Sequence, residues 1–272
     1  MNKIKLLSLA LIALFCFSCK PDKTDYTKLI QGEWFCQDVN GLTVPTNDAF
    51  VMSFQENGTG SLKQRYTLPD SGGTQWMESS HYFYTVNEDG AVSMQGTNPL
   101  GESVNIAFSI KKITSSILEY RESSHTINGQ ETTMEQRFWL EKSKESCFAK
   151  IQGTWDGRQV FKVTYKDSTL QVFVHDSISE PYCRYHFYAD STFDYYKIVD
   201  GVWEKAEDIK GIYRVNGHLL SLNQEIISTS KSSCDCWIIE NVTDKKVNCR
   251  QWQRRFWNSK DLDGIRLWLE RE

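Results

Sequence analysis

Apolar and polar residues alternate in short runs along most of the chain after residue 30. Phe50, Met52 and Phe54 keep a period of two, which places alternate side chains on one face of a strand. No segment keeps the 3.6-residue period of a helix for three turns. Turn residues such as Asn128-Gly129 separate the runs and close hairpins readily. The pattern predicts an all-β protein with few helices.

The alternating runs predict eight strands in each half of the chain. The first set spans residues 31–39, 48–56, 60–67, 76–86, 91–95, 103–110, 112–121 and 132–142. The second set spans residues 153–165, 182–188, 192–199, 203–214, 218–222, 236–239, 242–252 and 265–269. Eight short strands joined by short loops avoid exposed edges best by closing into an up-and-down barrel. We therefore predict two tandem eight-stranded antiparallel barrels, with a two-sheet sandwich as the alternative.

An internal repeat divides the chain into these two halves. Residues Ile30-Gln31-Gly32-Glu33-Trp34 recur as Ile151-Gln152-Gly153-Thr154-Trp155, and later segments of the two halves also match. A repeat of this length indicates two copies of one smaller fold. We predict domains at residues 27–142 and 148–272, joined by a polar segment that a protease cleaves between Lys142 and Lys150.

The repeated motif resembles a known superfamily. Gly32-x-Trp34 on the first strand, a meander of eight strands and an aromatic-aliphatic last strand resemble the lipocalin (calycin) superfamily, especially the lipocalin-like domains of bacterial lipoproteins. In that family the tryptophan plugs the closed end of the barrel and a basic residue of the last strand covers it. The resemblance implies that Lys142 covers Trp34 beside Gly32. In the second copy it implies that Arg271 covers Trp155 beside Gly153.

The first residues have the features of a bacterial export signal. A basic start is followed by an apolar run at residues 6–17, which is too short to span ~30 Å of hydrocarbon. The run ends in Phe17-Ser18-Cys19, which resembles the cleavage site of lipoproteins. The resemblance implies a signal peptide at 1–18, a lipid such as palmitate on Cys19, and a polar tether at 19–26. We expect a lipid-anchored protein of the cell envelope, most simply of the outer membrane; a plain secretory signal is the alternative.

Composition excludes several classes of function. The net charge is −4 and like charges do not cluster, so no nucleic-acid partner is expected. The sequence contains no phosphate-binding loop, nucleophile elbow or HExxH motif, and the five histidines lack ligand spacing. We predict no enzymatic activity, no cofactor and no metal.

Six cysteines remain after removal of the signal and lipidation of Cys19. Disulfides are the usual state of cysteines in an exported protein. The first and eighth strands are neighbours in a closed barrel, so Cys36 and Cys147 are a candidate pair. The other four would then pair within the second copy in one of three ways: Cys183, Cys234, Cys236 and Cys249. As an alternative, Cys234 and Cys236 could bind zinc with His186 or His218.

One segment has the composition of a binding surface. Trp252, Arg254, Phe256 and Trp257 could stack on sugar rings or grip an anionic partner, although an aromatic face buried in the core is the alternative. We expect a non-catalytic lipoprotein that binds a small apolar or saccharide ligand, or a protein partner, with this segment as part of the site. The alternative is a structural or assembly component with filled barrels. An apolar cavity of ~300 Å³ or more would favour binding.

Overall fold

The computed structural model describes residues 24–132, 135–166, 169–175, 180–254 and 262–271. These residues form two antiparallel sheets, one in each half of the chain. The helical elements are short: α1 (Tyr26–Leu29), a 3₁₀ turn (Thr46–Asp48) and α2 (Phe148–Ile151). The prediction of an all-β chain with minor helices is therefore confirmed.

The first half closes into a barrel. Its strands are β1 (Gly32–Val39), β2 (Leu42–Thr43), β3 (Phe50–Phe54), β4 (Thr59–Thr67), β5 (Thr74–Val86), β6 (Ala91–Thr97), β7 (Ser103–Ile113), β8 (Ile117–Ile127), β9 (Gln130–Glu131) and β10 (Arg137–Lys142). Strand β10 pairs with β1 on one side and with β8 on the other. The ring therefore contains eight strands, with the two-residue strands β2 and β9 outside it.

The second half repeats this arrangement. Its strands are β11 (Gly153–Lys166), β12 (Thr169–His175), β13 (Cys183–Phe187), β14 (Thr192–Val199), β15 (Val202–Lys205), β16 (Ile209–Asn216), β17 (Leu219–Ile226), β18 (Lys231–Val242), β19 (Lys246–Arg254) and β20 (Leu262–Glu270). Strand β20 closes the ring by pairing with both β11 and β19. Strands β12 and β15 lie outside the ring, and the predicted pair of closed eight-stranded barrels is confirmed.

Two predicted strand boundaries were wrong for local reasons. Strand β7 continues to Ile113, and the chain turns at Thr114, whose hydroxyl accepts hydrogen bonds from the backbone N–H groups of Ser116 and Ile117. The matching Thr243 hydroxyl accepts from the backbone N–H of Lys246 in the second barrel. Threonine can close a turn with its own side chain, a signal that the glycine and asparagine pattern does not contain.

A third difference concerns the predicted strand at residues 203–214, which is two strands in the structure. Strand β15 pairs back on β14 as a hairpin, and the chain then turns into β16. The backbone N–H of Ala206 donates to the carbonyl of Tyr195 at 2.9 Å. The two ends of the hairpin are therefore held close together at the edge of the ring. The alternation of apolar and polar residues continues from β15 into β16, so the sequence pattern did not separate the two strands.

Each barrel has its own apolar core. In the first, the inward side chains include Trp34, Met52, Phe54 and Tyr120, which are almost completely buried. The second core contains the matching Trp155 together with other buried residues: Phe187, Phe193, Tyr213, Leu222, Cys249 and Leu267. Burial of apolar surface of this kind is the main favourable term in folding.

A third apolar cluster joins the two barrels. Strands β1, β3, β17 and β18 carry apolar side chains on both faces, and their outward residues pack against each other. We call this cluster the docking interface: Phe35, Ala49, Val51 and Trp76 from the first barrel, and Leu219, Cys234, Cys236 and Ile238 from the second. His218 adds an edge-on contact with Phe35 at a ring separation of 4.8 Å. The barrels are therefore packed together through a buried surface.

Hydrogen bonds from the 3₁₀ turn complete the docking interface. Strands β18 and β19 pair between Ile238–Val242 and Val247–Arg250, with a register shift between Ile239 and Asn241. Past that stretch, Asn47 Oδ1 accepts from the backbone N–H of Cys236 at 2.8 Å and from Gln251 Nε2 at 3.3 Å. The first barrel thus supplies acceptors to second-barrel groups, which satisfies donors that would otherwise be buried without partners.

Candidate functional site

The closed end of the first barrel is built around Trp34. Its indole N–H donates to the carbonyl of Ile30 at 2.6 Å, and the Lys142 ammonium lies 4.3 Å from the centre of its ring. Lys142 also donates to the carbonyl of Gln31. Gly32 has φ +107°, and a Cβ there would collide with the Lys142 side chain. The backbone conformation therefore favours glycine here, and a side chain would also displace the flexible end of Lys142.

The second barrel repeats this closure with an arginine. Trp155 donates to the carbonyl of Ile151 at 2.6 Å, and the Arg271 guanidinium lies 3.8 Å from the centre of its ring. Gly153 has φ +104°, and its side facing the guanidinium has no room for a Cβ without a shift. A cation over an indole contributes about 0.5–2 kcal/mol. The two tryptophan plugs close corresponding ends of the two barrels, so a ligand inside a barrel has to enter from the opposite end.

A cavity of about 200 Å³ lies at the open end of the first barrel. Phe138 stacks on Tyr120 at 4.8 Å and meets the edge of Phe50, and together these rings form an aromatic wall. Apolar side chains from β3, β4 and β7 also line the cavity: Met52, Leu62 and Ile106. Phe138 is at the start of β10, and Lys142 is at the other end of the same strand. The cavity therefore lies away from the end of the barrel that Trp34 closes.

Four polar side chains also line the cavity: Gln64, Glu122, His125 and Gln136. Glu122 is only 4% exposed, and its carboxylate lies 3.7 Å from His125 Nδ1. Burial lowers the pKa of His125, so its ring is neutral near pH 7. The arrangement offers an apolar chamber with a carboxylate and a neutral imidazole at one side.

The predicted binding segment lies partly beyond the described residues. Phe256 and Trp257 are outside them, and the side chain of Arg254 is not described. Trp252 is partly buried beside the docking interface, and its backbone N–H donates to Thr46 Oγ1 at 2.7 Å. The Arg250 guanidinium lies 4.5 Å from the centre of the Trp252 ring. Trp252 thus takes part in joining the barrels.

The predicted disulfides are not present in the structure. All six cysteines are unbridged: Cys36, Cys147, Cys183, Cys234, Cys236 and Cys249. Cys36 is opposite Leu140 and points into the first core, whereas Cys147 packs against the second core. The proposed pairing failed because the chain leaves the first barrel after Lys142, before it reaches Cys147.

Five of these six thiols are buried as apolar groups, and Cys147 is partly buried. Burial raises the pKa of Cys183 to about 12, and it raises those of Cys36 and Cys249 further. The Cys234 and Cys236 sulfurs are 3.9 Å apart in the docking interface. Thiols that stay protonated are poor nucleophiles and poor metal ligands. Within the described ranges, no three His, Cys, Asp or Glu side chains are arranged to hold a metal.

The sequence analysis did not predict the cavity residues, although the alternation along β8 contains a signal for one of them. Glu122 occupies an inward position of β8, where the alternation calls for an apolar side chain, two residues after Tyr120. A charged residue at such a position is a signal of a polar site inside a barrel.

None of the helices among the described residues is long and apolar enough to cross a membrane.

Comparisons with known proteins found likeness at the level of structure. No protein-family model matches the chain, and no curated protein sequence matches it. Among solved structures, the isotype 1 transferrin binding protein B (TbpB) of serogroup B Neisseria meningitidis aligns at 5% identity with a TM-score of 0.24, over 82% of this chain and 51% of that one. The chain spans about half the length of that protein. The strand order and closure of its own two sheets show two tandem eight-stranded antiparallel barrels, the architecture that the resemblance to lipocalin-like domains implies.

Proposed function

We propose that this protein is a non-catalytic, lipid-anchored envelope protein that binds a small apolar molecule with a hydrogen-bond donor at the open end of its first barrel. The observation that carries the proposal is the cavity between Phe50, Tyr120 and Phe138, with Glu122 and His125 at its side. Ligand sites are typically concave, mostly apolar and provided with a few convergent polar groups.

The volume of the cavity restricts the ligand. About 200 Å³ is below the ~300–1,000 Å³ of most small-molecule sites, so a single ring or a short alkyl chain is the expected occupant. The Glu122 carboxylate is an acceptor, and a carboxylate ligand would be repelled by it. An amine or alcohol on an apolar body matches these walls best.

The anchoring part of the proposal is supported by the sequence. Phe17-Ser18-Cys19 follows an apolar run of export-signal length, and the tether after it is polar. We propose that acylated Cys19 holds the barrels at a membrane, with the outer membrane as the simplest location. Cys19→Ala should move the protein to the soluble fraction, and equal membrane association of parent and variant would contradict the anchor.

The cavity can be tested with methyl-labelled methionine. Met52 lines the cavity, whereas Met94 is fully buried in the same core outside the lining, so the two methyl resonances form a matched pair. The full mature chain is titrated with benzylamine, benzyl alcohol and benzoate. We expect saturable shifts of Met52 with the first two probes, no shift of Met94, and no response to benzoate.

A filling variant completes this test. Leu62→Phe adds volume to a cavity wall, and it should abolish the Met52 shifts while the protein remains folded. Absence of a Met52 response to every probe, or an unchanged response in Leu62→Phe, would contradict ligand binding in the first barrel.

A structural or assembly role is the second candidate function. The modest cavity volume favours it, because most of the first barrel is occupied by its own aromatic side chains. A silent Met52 in the titration is the result expected for that role. A contribution from Trp252, Arg254, Phe256 and Trp257 remains a prediction; the packing of Trp252 against the docking interface supports the alternative that it serves the core.

A further inference from the structure

A second concave site lies on the outer surface of the first barrel, at the hairpin between β1 and β2. The groove has a volume of about 690 Å³ and is lined by Gln37, Asp38, Asn40, Thr43, Arg137 and Trp139. We infer that this groove binds a neutral pyranose sugar, stacked on Trp139 and hydrogen-bonded to Asp38.

Strand pairing aligns the key side chains. Asp38 is directly opposite Trp139 of β10 and directly opposite Thr43 of β2, so the three side chains form a row on one face of the sheet. Phe138 and Leu140, the neighbours of Trp139, point into the core, and this turns the indole outward. The row presents an indole, a carboxylate and a hydroxyl side by side, and the Lys112 ammonium lies 5.8 Å from the centre of the indole ring.

Arg137 forms one end of the groove and is held in place. Its Nε donates to Glu119 Oε1 at 2.7 Å, and its backbone N–H donates to Asn40 Oδ1 at 2.8 Å. Glu119 is 6% exposed, and this buried carboxylate fixes the guanidinium plane while the rest of the arginine side chain stays exposed. The remaining guanidinium N–H groups are positioned donors at the groove edge.

Asp38 supplies the acceptor. Among the described residues, none donates a hydrogen bond to its carboxylate, although the side chain is partly buried. Gln37 adds an amide that donates to Glu141 Oε2 at 3.3 Å. The Asp38 carboxylate and the Gln37 amide remain hydrated in the free protein, and they can exchange this water for ligand hydroxyls at little cost.

This combination matches a pyranose better than other ligand classes. A pyranose has an apolar C–H face for an indole and a rim of hydroxyls for a carboxylate, an amide and a guanidinium. The groove has too few apolar side chains for a lipid, and the Asp38 carboxylate disfavours phosphates and uronates. Because Glu119 already pairs with Arg137, the sugar is expected to be uncharged.

The test uses the full mature chain in a detergent without a sugar headgroup. Isotope-labelled indole N–H resonances are followed during titration with methyl glucoside, methyl galactoside, methyl mannoside and their uronate counterparts. We expect at least one neutral pyranoside to shift one indole resonance, which Trp139→Leu removes from the spectrum. The uronates should bind more weakly than the neutral sugars.

Matched variants identify the site. Trp139→Leu and Asp38→Asn should each weaken binding by about fivefold or more, since stacking and a hydrogen bond to a charged group both contribute on this scale. Trp203→Leu, which removes a partly exposed indole of the second barrel, and Asp244→Asn in an exposed turn should leave the affinity unchanged. Thermal unfolding confirms that each variant is folded.

Three outcomes would overturn the inference. They are the absence of any indole shift with neutral pyranosides at millimolar concentration, equal affinity of parent, Trp139→Leu and Asp38→Asn, and equal or tighter binding of the uronates. The result is independent of the first-barrel cavity, because Met52 reports the cavity and the Trp139 indole reports the groove.

Discussion

Substitution of Asn47 tests the claim that the first barrel completes the second. Asn47 Oδ1 accepts from the backbone N–H of Cys236, a residue that is 0% exposed, and from Gln251 Nε2. In Asn47→Ala the buried Cys236 N–H loses its acceptor. Gln251 keeps its hydrogen bond to the carbonyl of Cys236 at 3.0 Å, so one unsatisfied donor dominates the cost.

The magnitude follows from that count. A buried donor without a partner costs about 1–3 kcal/mol, so we expect Asn47→Ala to lower the free energy of unfolding by roughly 2 kcal/mol. Asn57→Ala is the matched control, because Asn57 Oδ1 also accepts from a backbone N–H, that of Thr59 at 3.0 Å, in an exposed turn. Water replaces that acceptor, and the expected loss is about 0.5–1 kcal/mol.

Urea denaturation followed by tryptophan fluorescence measures both losses. We also expect the parent chain to resist cleavage between Lys142 and Lys150 more than Asn47→Ala does, because the docking interface holds the two barrels together across this segment. Equal destabilisation by Asn47→Ala and Asn57→Ala, together with equal protease sensitivity of parent and Asn47→Ala, would refute the role of Asn47 in docking.

Three further predictions concern the interface and the closed ends. Burial, with Lys144 and Arg250 nearby, lowers the pKa of His218 to about 4. The contribution of neutral His218 to the free energy of unfolding is therefore complete above the unfolded-state pKa of ~6.5, and it is lost as the pH falls toward 4, at up to about 1.4 kcal/mol per pH unit. In a measurement of the free energy of unfolding against pH, His218→Gln should flatten this part of the curve. The smaller slope that His125 contributes should remain. Arg271→Leu should lower the free energy of unfolding by about 1–2 kcal/mol, whereas Arg271→Lys should recover most of it, as measured by urea denaturation. Gly32→Ala should cost more than about 1 kcal/mol because of its φ of +107° and the Lys142 side chain, and a fully stable variant in thermal unfolding would contradict this account.

Much of the architecture was readable from local sequence features. Period-two alternation and turn residues act between near neighbours, and the repeat of Gly32-x-Trp34 as Gly153-x-Trp155 identified two copies of one barrel. The partners of the tryptophans also followed, because antiparallel pairing of the first and last strands places the end of β10 beside the start of β1. These features depend on strand period and chain direction, which the sequence contains.

The docking interface and the cavity were decided by the tertiary structure. The run Trp34-Phe35-Cys36 is apolar on both faces, but only the folded chain shows that Phe35 meets the second barrel while its neighbours fill the first. Cys36 and Cys147 appeared close from strand adjacency, yet they belong to different cores because the chain changes barrels between them. Glu122 and Phe138 come together only when β8 and β10 pair across the closing ring. Such contacts join residues distant in the chain, and no local periodicity specifies them.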